Sequence, residues 1–221
     1  MVLLAACTPE PPPPDVRDIT EIRARVGPRI AREMAEMGLQ LGAPIFVRIF
    51  KESSELEVWV RDGARFRLFR NYPICKWAGT LGPKLKEGDL QSPEGFYRVD
   101  KSLMNPNSSY HLAFNLGFPN AYDRARGRTG SFLMVHGNCG SAGCYAMTNP
   151  MIEEIYLIAE AALENGQDAF QVHAFPFRMD ESAPPGPSTA FWDSLRPAYR
   201  RFEATHVPPR VRVVDGEYVI E

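Results

Sequence analysis

No stretch of this chain is long and apolar enough to cross a bilayer as a helix, which removes a helical membrane span from its architecture. Net charge is nearly absent as well. Lys and Arg number 25 against 27 Asp and Glu, a formal balance of -2, so no global basic field exists to attract nucleic acid. No internal repeat is present, which excludes a stacked-repeat array. Cysteine is scarce, with four residues: Cys7, Cys75, Cys139 and Cys144. What the chain does have is 20 prolines and 17 glycines, which imply many turns and irregular connections. Its 221 residues, 44% hydrophobic and 24% charged, suit one globular domain with a sizeable core. The one dense basic run, Asp123-Arg124-Ala125-Arg126-Gly127-Arg128, reads as a solvated loop.

The start of the chain carries its own signal. Met1 to Cys7 is a short apolar run ending in Leu-Ala-Ala-Cys, which resembles the lipobox of bacterial lipoproteins, with Cys7 as the acylated residue. A charged leading segment is missing and the apolar run is short, so the true start is expected upstream. A proline-rich spacer follows, as between an anchor and a domain. The expectation is a periplasmic protein, lipid-anchored at Cys7 and touching the membrane only there. Residues 1–15 would be signal remnant and linker, 16–43 a helical segment, and 44–221 the catalytic domain. With Cys7 set aside, three cysteines remain. An odd number in an exported protein implies a free thiol.

Hydrophobic spacing predicts an amphipathic helix over 19–39, interrupted by Gly27-Pro28. A hairpin over 44–62, a strand over 65–74, and short strands at 95–99 and 111–116 follow. Ser131 to Val135 reads as a buried strand running straight into His136. A helix is expected to start with Asn149 as its N-cap and Pro150 in the first turn, and to stop at Gly166. A strand over 169–175, a helix over 189–205 and a terminal hairpin around Asp215-Gly216 complete the reading. The fold class is mostly β with packed helices, an α+β arrangement.

Chemistry concentrates between His136 and Met147. A strand delivers a histidine, a Gly- and Ser-rich turn follows, and then comes Cys144. A thiol attacks acyl carbon as thiolate, and a neighbouring imidazole that takes the proton makes this feasible near neutral pH. Gly143 permits an unusual backbone and leaves N–H groups for an oxyanion. The same spacing admits a Cys139–Cys144 disulfide, or a zinc site completed by Cys75 or His173. Cys75 otherwise reads as a core residue, His111 and His173 as structural, and Trp59, Trp77 and Trp192 as core or rim aromatics.

His-Gly followed by Ser-x-Gly-Cys resembles the signature of YkuD-type L,D-transpeptidases. Ala142 and Ala146 stand where many members have His and Arg. Together with Cys-Tyr-Ala-Met they match the YafK-like murein branch. Further resemblance lies in Ile49-Phe50-Lys51-Glu52, Lys84 to Asp89, Ser92 to Tyr97, Phe114 to Asp123 and His173 to Arg178.

The resemblance implies a β-sandwich or open barrel. Cys144 would be the nucleophile, His136 its base, and the Gly137 carbonyl the group that orients the imidazole. Gly143 and Ser141 would form the oxyanion turn. Tyr122, Arg124, Arg128 and Tyr145 are candidates for gripping substrate carboxylates. Cys139 would be a bystander or pair with Cys144. No cofactor, metal or nucleic acid is implied. The partners would be peptidoglycan stem peptides and an outer-membrane protein attached to peptidoglycan. Cys144 would cleave a tetrapeptide stem at diaminopimelate and pass the acyl group to an amine. A hydrolase using the same nucleophile, or a non-catalytic cell-wall-binding module, are the rival readings.

Overall fold

The computed structural model describes residues 19–180 and 185–221. The lipobox-like start and Cys7 lie outside them. In chain order, the first half comprises α1 (Thr20–Glu36), β1 (Ile45–Phe50), β2 (Glu55–Asp62), β3 (Arg65–Pro73), β4 (Gly95–Asp100), a 3-10 turn at Lys101–Leu103, β5 (Met104–Asn105) and β6 (Ala113–Asn115). Next come α2 (Ala121–Ala125), β7 (Met134–His136), β8 (Tyr145–Ala146), α3 (Asn149–Glu164), β9 (Ala169–Phe175), α4 (Thr189–Thr205), β10 (Val211–Val214) and β11 (Glu217–Ile220).

The strands form a five-stranded sheet in the order β3-β2-β1-β9-β4, a four-stranded sheet β5-β6-β7-β8, and the β10-β11 hairpin. They make a mixed α+β fold without a closed barrel. β1 is buried at every residue because both faces of the large sheet are covered, which is why Ile-Phe-Val-Arg-Ile-Phe is nearly continuous in apolarity. On one face Val47, Ile49, Val172 and Val99 pack with α1, α3 and the small sheet. On the other, Phe50, Phe96 and Phe175 meet Trp192, Leu195 and Tyr199 of α4.

α1 buries Val26, Ile30 and Met34, one residue per turn, into the same core as the sheet. Gly27-Pro28 does not split it: Pro28 lies inside one continuous helix. Arg23, Arg25 and Arg29 pair with Glu160, Glu153 and Glu154 of α3. Such half-exposed pairs contribute little singly, so apolar burial does most of the holding.

Two local expectations are corrected. The basic run is solvated only in its middle, where Arg124 to Gly127 are exposed, and it is not all loop. Asn120 and Asp123 form a reciprocal capping box that starts α2, and Arg128 folds back onto Asp123 at 2.8 Å in a buried ion pair. Likewise Thr148, not Asn149, occupies the N-cap position of α3. Asn149 is the first helical residue, and its Oδ1 accepts the Asn138 N–H at 2.9 Å. That frees it to brace the loop after His136.

Candidate active site

β7 and β8 are parallel neighbours, with Val135 opposite Tyr145 and His136 opposite Ala146. Cys144 immediately precedes β8, so the eight residues 137–144 form a turn that leaves β7 after the histidine and returns at the cysteine. β8 is pinned on its far side by the Lys76–Ala146 bridge, with Cys75 N–H donating to the Ala146 carbonyl at 2.9 Å. Cys75 and Cys139 then form a disulfide with Cα atoms 5.3 Å apart. This corrects two expectations. Cys75 is exposed rather than in the core. Cys139 pairs with Cys75 and not with Cys144, which removes it from the zinc set as well. Cys144 is the free thiol among the described residues.

His136 is buried, and its Nδ1 lies 2.6 Å from the Gly137 carbonyl oxygen. A carbonyl only accepts, so Nδ1 carries the proton and Nε2 keeps its lone pair. Burial lowers the imidazole pKa below 6.5, against the opposing pull of the Gly137 carbonyl. The ring is therefore a neutral base at neutral pH. Tyr110 lies beside it, ring centres 4.7 Å apart, with 52% of its surface exposed.

Gly137 is required by close approach. A Cβ there would sit 2.5 Å from Asn149 Oδ1 and 2.9 Å from the Tyr110 carbonyl. Its N–H is shared between the Tyr110 and Leu112 carbonyls at 3.0 and 3.2 Å.

The Cys144 thiol is half-buried. It donates to the Phe132 carbonyl at 3.4 Å, and its sulfur accepts the Met134 N–H at the same distance. Burial raises its pKa above 9.0, while the Met134 N–H and the charge of Lys84 pull the other way. The resting pair is thus a thiol and a neutral imidazole. No hydrogen bond joins them among the described residues: the thiol faces Phe132 and Met134, and His136 faces Gly137.

The turn is built to present the cysteine. Gly143 has φ +139, a conformation that favours glycine. The Ser141 hydroxyl donates to the Cys144 carbonyl at 2.7 Å and accepts the Gly143 N–H at 3.2 Å. Ser141 therefore closes the turn. The Cys144 carbonyl takes a second hydroxyl from Ser92 at 2.8 Å. The Cys144 N–H keeps no acceptor among the described residues.

Of the residues expected to grip substrate, three are committed elsewhere. Tyr145 is fully buried, its hydroxyl donating to the Pro93 carbonyl at 2.7 Å. Tyr122 is buried and stacked on Tyr218 at 4.1 Å. Arg128 is spent on Asp123. Arg124 is exposed, but it lines a different groove, beside β4.

Three contributors escaped the sequence reading. Lys84, buried and paired with Asp89 at 2.5 Å, is the charged group that acts on the thiol. Ser92 is held in place by a fully buried Lys51–Glu94 pair, where Lys51 Nζ also donates to the Ser92 carbonyl at 3.1 Å. Phe132 is 73% exposed with φ +53, and its backbone carbonyl is the acceptor that the thiol faces. The quoted segments around Lys51, Lys84 and Ser92 held the signal, but their roles depend on contacts distant in sequence.

Comparison with known proteins adds three findings. The L,D-transpeptidase catalytic domain (YkuD) family model matches residues 45–166. The Escherichia coli (strain K12) protein YafK, to which an L,D-transpeptidase activity is provisionally assigned, is 47% identical over 184 residues, 81% of this chain and 75% of its own length. The helical cell shape determining protein Pgp2 of Campylobacter jejuni is 18% identical with a TM-score of 0.48, covering 84% of this chain and 80% of that one. In its K307A form the identity is 21% at the same TM-score, over 78% of this chain, which spans 61% of that one.

Proposed function

This chain belongs to the YkuD family of L,D-transpeptidase catalytic domains, and from that membership we propose that it is a cysteine acyltransferase acting on peptidoglycan stem peptides through a thioester at Cys144. The observation that carries the reading is a free thiol immediately before the strand beside that of His136, a buried imidazole whose Nδ1 proton is fixed on the Gly137 carbonyl.

His136 Nε2 takes the thiol proton as the sulfur bonds to the stem carbonyl carbon at diaminopimelate. The oxyanion that forms is met by the Cys144 N–H. The carbon–nitrogen bond to the terminal D-Ala then breaks, and His136 returns the proton to the departing amine. An amine from a second stem attacks the thioester, loses its proton to His136, and releases the thiol. Water in place of the amine gives hydrolysis, so exclusion of water by the occupied site decides between the two outcomes. The exposed rings of Tyr110 and Phe132 stand where a bound peptide would be covered.

An exported, periplasmic location, with anchoring at Cys7, belongs to the same proposal. The Cys75–Cys139 disulfide supports an oxidising compartment.

The test is mass spectrometry of purified peptidoglycan fragments incubated with the protein and with Cys144→Ala. A thioester adduct with exchanged or cross-linked products, seen only with the intact thiol, is expected. Shortened stems alone would make the enzyme a hydrolase. Absence of any adduct and any product would remove the catalytic reading.

A further inference from the structure

A second concave feature lies away from the thiol. It is a groove of about 690 Å³ between the outer strand β4 of the large sheet and the β10–β11 hairpin. No hydrogen bond joins its lining residues to Cys144 or His136 among the described residues. Four arginines line it: Arg98 on β4, Arg124 on α2, Arg210 just before the hairpin and Arg212 within it. No Asp or Glu lines it, although the whole chain carries an excess of acids.

The charges are only partly answered. Glu221, outside the groove, pairs with Arg212 and lies 4.0 Å from Arg210. Arg124 donates to the Pro119 carbonyl, and Arg98 makes no hydrogen bond or close ion pair among the described residues, its charge acting only at a distance on Asp100 two residues along β4. The neutral lining donates too. His173 Nε2 engages the side-chain amide oxygen Oε1 of Gln171 at 3.0 Å, which leaves the amide NH2 of this lining residue as a donor. Guanidinium has donors and no acceptor. A one-sign concave wall concentrates the field it makes.

A lining of donors and positive charge selects a ligand made of acceptors. Arginine's planar fork pairs bidentately with planar oxyanions. The four arginines come from three separate segments, so the matching ligand carries several oxyanions along its length. The hollow form does not suit a flat lipid surface.

We propose that this groove binds a second carboxylate-bearing peptide stem of the polymer, apart from the stem that reacts at Cys144. The identity of that ligand rests on the function proposed above. The free carboxylates would be those at the diaminopimelate D-centre and the terminal D-Ala of a stem tetrapeptide.

The experiment compares the protein with an Arg98→Glu, Arg210→Glu double variant in two assays. Retention on insoluble peptidoglycan is measured by sedimentation in the Cys144→Ala background, where nothing reacts. Thioester formation with a free short tetrapeptide is measured with the thiol intact, and also shows that the variant is folded. Retention is expected to fall at least tenfold in the variant, with adduct formation unchanged. Peptidoglycan whose carboxylates have been amidated should retain both proteins equally weakly. Unchanged retention of the variant, with normal adducts, overturns the groove and leaves the enzyme standing. Lost retention with no adduct from either protein, in a variant that melts at the parent temperature, keeps the groove and removes the catalytic reading. Full retention on amidated polymer overturns the carboxylate assignment. So does binding of the intact protein, but not the variant, to phosphatidylglycerol vesicles while polymer retention is unaltered.

Discussion

At the residue scale, the two groups that carry the proposed chemistry are both held in their neutral forms. His136 is pushed down by burial and Cys144 is pushed up by it. Proton transfer from thiol to imidazole is therefore coupled to attack on the substrate. The kcat/KM profile is expected to lose activity on the acid side with a midpoint below 6.5, where His136 takes up its proton. Iodoacetamide should alkylate Cys144 slowly at pH 7 and faster above pH 9. A preformed ion pair would instead give fast alkylation at pH 6, which would contradict this arrangement. Replacing His136 by Ala removes the base and should cost roughly 10²–10⁴ in the acylation rate, the usual range for a positioned proton acceptor.

Gly137 offers a second test at this scale. Its missing Cβ is what lets the Asn149 amide and the Tyr110 carbonyl close around the imidazole. Gly137→Ala should force the loop away from both. Activity should be lost with stability lowered by about 1–3 kcal/mol, in the range for overpacking. A variant as active as the parent would show that the loop yields freely.

At the scale of elements, the active turn is secured from two directions. The Lys51–Glu94 pair ties the 78–94 segment beneath Ser92, and through Ser92 holds the Cys144 carbonyl. The Cys75–Cys139 disulfide ties the turn to the segment after β3 across 64 residues of chain. Closing a loop of that length in the unfolded chain is worth about 4 kcal/mol by the chain-entropy relation. Cys139→Ser, or reduction with dithiothreitol, should lower the unfolding free energy by up to that amount. Thiol titration of the described domain should give one reactive cysteine before reduction and three after. A count of three without reductant would disprove the pairing.

β9 adds a pH effect. His173 is fully buried among Phe46, Phe96 and Phe175, and burial drops its pKa to about 3, with the charge of Arg48 adding to the shift. The unfolded chain takes up a proton here near pH 6.5, while the native protein does not until about pH 3. Stability is therefore complete above 6.5 and falls as pH drops toward 3. By pH 4.5 the loss from this residue alone is about 3 kcal/mol, at about 1.4 kcal/mol per pH unit. His173→Gln, measured by denaturant unfolding at pH 7 and pH 4.5, should show a shallower fall than the parent. An equal fall in both proteins would place the acid sensitivity elsewhere.

At the scale of the whole molecule, the large sheet works as a partition. One face supports the small sheet that carries His136 and Cys144, and the other supports α4 and the hairpin that borders the arginine groove. The sequence by itself determined what depends on short spacing. The β-branched and aromatic runs of β1 and β2, the alternation in β3 and the helical period in α1 and α3 were legible. So was the placement of His136 and Cys144 on either side of a Gly-rich turn. Local pattern could not show β8, which is two residues long and exists only through its bridges to β7 and Lys76. The short helix α2 hid inside a run that looked like surface charge, because a buried Arg128–Asp123 pair has the same letters as an exposed one. Which cysteine Cys139 joins, and which polar residues face a substrate, were decided by the tertiary structure alone. Both depend on which groups the folded chain brings within a few ångströms across long separations in sequence. Spacing along the chain carries no record of those distances.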